Sequence, residues 1–572
     1  MTNMPNLNLI HDNWIHVVVD QKGTTEMVSI KELFERAHEI IDISGDTLVQ
    51  DFAILRQLLA ITQTVYSRYD ADGTIYDDIE LDEQGLPVGE IDDEENYKMD
   101  LLETWETIWE NQMFTEQLFD YLDEWAYKFE VFDFIHPFMQ VTEETIAPEN
   151  INSKNAGKVY GRTLDRRLSE SANKRNLTSP YGDSVKGVLS EDEVARWMIT
   201  YHGYSATAEK TKHLKNLNEF TYSKGWLYDL GGIHLKGETL FQTLWLNTML
   251  VHPYETIGVT HQRPTWEISG IEAMDNRLEY KAIDNLAELY TVFSRALFID
   301  PEIDLDKQFV MQSVKIPEVP HVNNFLEPMT LWNYNNSGDS KGSFTPRKHR
   351  ESENFWQNFG LITQPSTNRE KEEHVRPIIM DWLYETVEEY LTDDYQIQIQ
   401  AITLLDDGNA TSWKPTGVVD GKIIAETSVL SDVLDQGWVI RINQAIATTK
   451  HAIGKNYRKF LWDIADIRNY GDGNEFINSG VDSVYAQITD SFNEWLMNIT
   501  FNDSKDEKVK EWYDMLYEIL LHEADAQMTN HSNKDVIGVE TAKGVKNIFT
   551  AHNSFRYFLH GTLKGGETNV EA

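Results

Sequence analysis

Hydrophobic and polar positions alternate early. Leu9-Ile10-His11-Asp12-Asn13-Trp14-Ile15-His16-Val17-Val18-Val19 reads as a strand, the Asp20-Gln21-Lys22-Gly23 turn follows, and a second strand spans about 26–29. Ser29 is placed to cap a helix from Ile30. Over 47–68 the period becomes helical, with Leu48, Phe52, Leu55, Leu58, Leu59 and Ile61 on one side. Further helices are predicted over about 101–128 and through Leu240, Leu244, Leu246, Met249 and Leu250. Near 396–426 the pattern returns to strands: Gln398, Gln400, Ile402 and Leu404, a turn at Asp406-Asp407-Gly408-Asn409, then Val418-Val419 and Ile423-Ile424. This predicts a β-hairpin with its tip near 406–412. Beyond Glu426 the period is helical throughout, in segments of about 429–468, 475–499, 506–531 and 539–563. Long helices joined by short loops predict a four-helix bundle. The expected architecture is α+β: a large mixed domain over 1–426 and a C-terminal bundle over 427–572.

Charge complicates this picture. Asp and Glu number 94 against 50 Lys and Arg, a formal net of −44. A phosphate-binding chain is usually basic at least locally, so composition alone argues against nucleic acid. The acidity concentrates in 70–106, with 15 Asp and Glu against one Lys, and this stretch reads as an exposed insertion or loop. Basic residues cluster elsewhere: Lys154, Lys158, Arg162, Arg166, Arg167, Lys174, Arg175 and Lys186 within 146–190, and Arg347-Lys348-His349-Arg350 at the end of a Gly/Ser/Asn loop. With no cysteine, disulfides and thiolate chemistry are excluded. Residues 1–13 carry no basic leader and the apolar run 15–19 is too short for a signal segment, so a cytoplasmic protein with no membrane partner is expected.

A search for chemistry finds no catalytic constellation. There is no HExxH: His522-Glu523 and His531 share a predicted helix without that spacing. Gly231-Gly232 lacks dinucleotide-loop spacing, and neither a phosphate loop nor a GxSxG elbow occurs. No cofactor, metal site or catalytic residue is predicted, and a non-enzyme is expected. A divergent metal-dependent hydrolase or nuclease and a pure scaffold are the alternatives.

Three blocks carry a resemblance. Asn8-Leu9-Ile10-His11-Asp12-Asn13-Trp14-Ile15, His136-Pro137-Phe138-Met139-Gln140 and Gln262-Arg263-Pro264-Thr265-Trp266-Glu267 resemble, in order and spacing, blocks of the CasA family. Gly225-Trp226, Leu230-Gly231-Gly232 and Leu235-Lys236-Gly237 also resemble it, while His16 stands where the family usually has Pro. CasA proteins are large subunits of type I-E CRISPR Cascade surveillance complexes. The resemblance implies a non-catalytic, antiviral-defence subunit that recognises the protospacer-adjacent motif (PAM) in duplex DNA, helps open it, and recruits a helicase-nuclease. The implied partners are the other Cascade subunits and crRNA, target DNA and that nuclease. Guide pairing reads the sequence itself, a division of labour also seen in Cas9.

The resemblance also implies sites. A minor-groove loop corresponds to Gly203, Tyr204, Ser205, Ala206, Thr207, Ala208 and Lys210, although it is poorer in glycine than the family's. A wedge hairpin corresponds to Gly408, Asn409, Ala410 and Thr411, with Asn409 at the Gln-like tip position. A guide-RNA contact corresponds to Asn176, Leu177 and Ser179, with Arg166, Arg167, Lys174 and Arg175 as phosphate-facing neighbours. On the bundle, Lys450, Lys455, Arg458 and Lys459 recur at helical spacing and could face duplex phosphates or a neighbouring subunit.

Overall fold

The computed structural model describes residues 4–165, 167, 170, 181–182, 184–206, 210–215, 223–365, 373–392, 394–407, 415–542 and 544–565. The chain forms two compact units. One comprises Met1–His349, Asn368–Tyr390 and Ile399–Asp420; the other comprises Arg350–Thr367, Leu391–Gln398 and Gly421–Ala572. The architecture is α+β, with small sheets in the first unit and mostly helices in the second. The helical unit thus takes in two segments ahead of residue 426.

In the first unit the predicted N-terminal hairpin forms. Ile15–Val18 pairs antiparallel with Thr25–Val28, and Ser29 accepts from the backbone N–H of Glu32 to cap Ile30–Glu35. The helix Leu48–Tyr66 differs from expectation. It is buried nearly all round, not on one face. Such a helix needs partners for its polar side chains. Arg56 makes a bidentate pair with Glu327, both bonds 2.8 Å, Gln57 donates to the Tyr290 carbonyl, and Thr62 bonds Thr248.

The acidic stretch 70–106 is a second correction. It is not a solvated insertion: Tyr76, Ile79, Tyr97, Leu101 and Trp105 are buried, and a helix already runs over Glu94–Asn111, capped by Asp93. The carboxylates of Glu94 and Glu95 sit in its first turn, where the helix dipole favours them. Apolar residues at helical spacing therefore fold the segment while most of its acids stay at the surface, Asp78 being buried.

Two three-stranded sheets position the segments implicated in nucleic-acid contact. One joins Arg295–Phe298, Val310–Lys315 and Gly157–Tyr160. The other places Gly232–Lys236 beside Gln396–Asp406, which pairs with Pro415–Glu426 as the predicted hairpin.

The second unit contains four long helices among the described residues. The first runs over Trp438–His451, a π-helical turn Ala452–Tyr457 and Arg458–Arg468; the others are Asn474–Met497, Lys505–Thr529 and Ile548–Lys564. Their seam holds Phe492, Trp495 and Trp512, with ring centroids 5.0–5.7 Å apart. Residues 539–547 depart from the predicted helix and form a hairpin, Val539–Thr541 with Gly544–Lys546. Gly538 has φ +75°, where a Cβ would also strike the Lys546 carbonyl. That left-handed turn ends one helix, and Asn547 caps the next. His531 lies past the end of the helix that carries His522 and Glu523.

Candidate nucleic-acid interface

The three blocks that carry the resemblance are internal supports. Asn8 donates to the Ala126 carbonyl and to Glu130, and Trp14 donates to the Leu9 carbonyl. Gln140 is 1% exposed; it donates to the Val131 carbonyl and accepts from Ile299 N–H, both at 2.8 Å. Phe129 links the second block to the third, its ring 5.0 Å from Phe138 and 5.1 Å from Trp266. Glu267 closes a buried network with Arg68 at 2.8 Å and Tyr121 at 2.9 Å. Unpaired, each charge would be costly there.

The segment expected to be a minor-groove loop is redrawn by the structure. Gly203 and Tyr204 are the last residues of the helix Glu191–Tyr204. Tyr204, Ser205 and Ala206 are buried, so these three side chains face the core. Thr207 and Ala208 lie outside the described residues, and Lys210 is exposed. The physical reason is a clamp. Buried Arg295 donates to the carbonyls of Ala206, Ser223 and Ser294, the last at 2.9 Å. Ser205 and Ser294 share a hydroxyl hydrogen bond of 2.9 Å, and Gly225 N–H donates to the Ser205 carbonyl. A Cβ on residue 225 would clash with the carbonyls of His202 and Gly203, so glycine here permits chain-on-chain contact. Ala206 and Ser223 are thus tied to one guanidinium, and between them Thr211 and His213 are again buried, with Thr211 accepting from Lys315 N–H.

His202 reinforces the same junction. Its Nε2 lies 2.9 Å from the Met139 carbonyl and its Nδ1 accepts from Ser294 N–H. Burial, with the Arg295 charge adding to it, lowers its pKa to about 4, so the ring is neutral at pH 7.

The hairpin root lies beside this junction, while Gly408, Asn409, Ala410 and Thr411 lie outside the described residues. At the root, Asp406 meets Lys348 Nζ at 3.3 Å and accepts from the Tyr228 hydroxyl. Lys348 Nζ is 4.3 Å from the Tyr228 ring centroid, and Lys224 Nζ is 2.7 Å from Asp229. The bases of both implied reading elements therefore meet in one polar cluster. Sequence reasoning marks Lys348 as basic but misses this pairing, and it misses Arg295 altogether. A lone arginine opening an apolar strand was the available signal.

Arg167 is occupied by internal carboxylates. It pairs with Asp165 at 2.8 Å, Glu193 at 2.7 Å and Asp46 at 3.0 Å. Those partners hold its guanidinium in place, while the side chain stays partly exposed. Arg166, Lys174, Arg175, Asn176, Leu177 and Ser179 lie outside the described residues. In the bundle unit, Lys450 donates to the Gln357 carbonyl, Arg458 to Asn478 and Lys459 to Asp463, while Lys455 is exposed on the π-helical turn. No helix among the described residues is long and apolar enough to cross a membrane.

The fold is that of solved large CRISPR-associated proteins. It matches Thermobifida fusca Cse1 with a TM-score of 0.76 at 20% identity, covering 98% of this chain and 99% of that one. It matches Thermus thermophilus CasA (Cse1) at 0.63 and 15%, covering 97% and 99%. A chain of a CRISPR RNA-guided surveillance complex matches at 0.62 and 14%, with the same coverage. No curated protein matches the sequence. The family model of the CRISPR-associated protein Cse1 matches residues 8–522, and the chain belongs to that family.

Proposed function

We propose that this chain is the non-catalytic large subunit of a crRNA-guided type I-E surveillance complex in the cytoplasm. In this reading it recognises the protospacer-adjacent motif in duplex DNA, helps open the target and recruits a helicase-nuclease. Family membership supports the assembly, with other Cascade subunits and crRNA as partners. The observation that supports the DNA-reading part is the meeting of two roots: Arg295 ties Ala206 to Ser223, and Lys348 and Tyr228 tie the hairpin beside them. A base-reading tip needs a fixed base, because unstacking costs a few kcal/mol per step. Lys210 and Asn409 are the side chains proposed to face DNA, with Thr207, Ala208, Gly408, Ala410 and Thr411 around them. Arg166, Lys174, Arg175, Asn176, Leu177 and Ser179 are proposed to face the guide RNA end. With a net charge of −44 the isolated chain binds DNA weakly, so affinity comes from the assembly.

The test uses the reconstituted complex with crRNA. Duplex targets differing only in the flanking motif are titrated at several salt concentrations. Motif-dependent, salt-sensitive binding is expected, and motif-independent binding would overturn the reading. Incubating the chain alone with DNA and Mg²⁺ or Mn²⁺ tests the non-catalytic part, which cleavage would refute.

A further inference from the structure

We infer that Lys348 is a positioning residue that locks the hairpin root to the turn Trp226–Asp229, so that motif discrimination depends on a side chain outside both proposed reading tips. The inference rests on the proposed DNA-reading role. Lys348 has a fixed backbone on both sides. Arg347 N–H donates to the Leu331 carbonyl, and His349 N–H donates to Thr403 on the hairpin strand. His349 Nε2 also lies 3.1 Å from the Gly232 carbonyl. From this anchor the ammonium reaches two carboxylates on different elements, Asp406 Oδ2 at 3.3 Å and Asp229 Oδ1 at 4.0 Å.

Those two acids explain why a cation is needed. Asp406 ends the hairpin strand and Asp229 ends the turn Trp226–Asp229 that follows Ser223. Without an ammonium between them they are like charges on adjoining elements, and they repel. Lys224 neutralises the other oxygen of Asp229, Oδ2, at 2.7 Å. The Tyr228 ring lies 4.3 Å from Lys348 Nζ and 5.4 Å from Lys224 Nζ, and its hydroxyl donates to Asp406. The cluster thus alternates cation, ring and carboxylate across the gap between the two roots. Side-chain exposure of 27% for Lys348 and 17% for Asp406 leaves the pair partly screened, so its strength is modest and its role geometric.

The experiment compares K348M, K348R and D406N in the assembled complex. Affinity is measured for duplexes with the preferred and an altered flanking motif, alongside the Tm of the chain. K348M is expected to lower the preferred-to-altered ratio about fivefold, with Tm and the affinity for altered-motif duplex nearly unchanged. K348R restores the ratio, because it keeps the bridging cation. D406N, which weakens the same bridge from the other side, lowers the ratio in the same direction and serves if K348M folds poorly. A wild-type ratio in both K348M and D406N overturns the inference while leaving the proposed function intact. A wild-type complex with no motif preference overturns both.

Discussion

Replacing Arg295 with Met removes the clamp without shortening the chain contacts around it. The guanidinium is fully buried and donates to three backbone carbonyls, at Ala206, Ser223 and Ser294. Methionine leaves those carbonyls buried without this donor, at about 1–3 kcal/mol each. Part of that cost is offset, because the variant no longer desolvates a charge. The net loss expected is about 3 kcal/mol, confined to the mixed unit. The assay is urea unfolding followed by tryptophan fluorescence. With two compact units in the chain, the data are fitted to a transition for each unit and not to a single two-state step. R295M should lower the midpoint of the mixed unit's transition and leave the bundle's in place. S205A removes one shared hydroxyl bond and should cost about 1 kcal/mol. Unchanged midpoints in R295M would refute the clamp. A shift as small as that of S205A would show that the three carbonyls find other donors.

Three further outcomes are expected. His202 is neutral when folded, with its pKa lowered to about 4 from 6.5. The unfolded chain therefore binds more protons between those values, and stability is lost as pH falls from about 6.5 towards 4; H202Q should flatten that slope in urea midpoints taken at pH 7 and 5. R167Q should reduce stability through loss of its pairs with Asp165, Glu193 and Asp46, while the salt dependence of duplex binding by the complex stays unchanged. K455A, if Lys455 meets a phosphate, should weaken binding to all duplexes alike and reduce the log–log salt slope by about 0.9; an unchanged slope would exclude that contact.

Local pattern was enough for much of this chain. Alternation around Ile15–Val18 and Thr25–Val28 specified a hairpin, because a strand with one buried face has period two. The same logic gave the hairpin ending at Asp406 and the long helices after Glu426. Three short blocks were legible as a family resemblance, but their role was not. Asn8, Gln140 and Glu267 brace distant segments, and their partners Glu130, Ile299 and Arg68 are not readable from local spacing. Counting charges showed neither the core nor the pairing. The acids of 70–106 look like an exposed insertion or loop until Tyr76, Tyr97 and Trp105 turn inward, and the carboxylates that brace Arg167 lie far from it in sequence, at Asp46 and Glu193.

The sequence by itself determined the α+β class, the bundle and the exclusion of thiol chemistry, because period, caps and composition are local or global properties of the chain. Only tertiary structure decided that Tyr204, Ser205 and Ala206 face the core. Tertiary structure alone also put Arg295 beneath two chain crossings and set Lys348 between Asp406 and Asp229. Each of those facts depends on which donor lies within reach of which carbonyl or carboxylate, a pairing between distant segments that no single residue's own preference specifies.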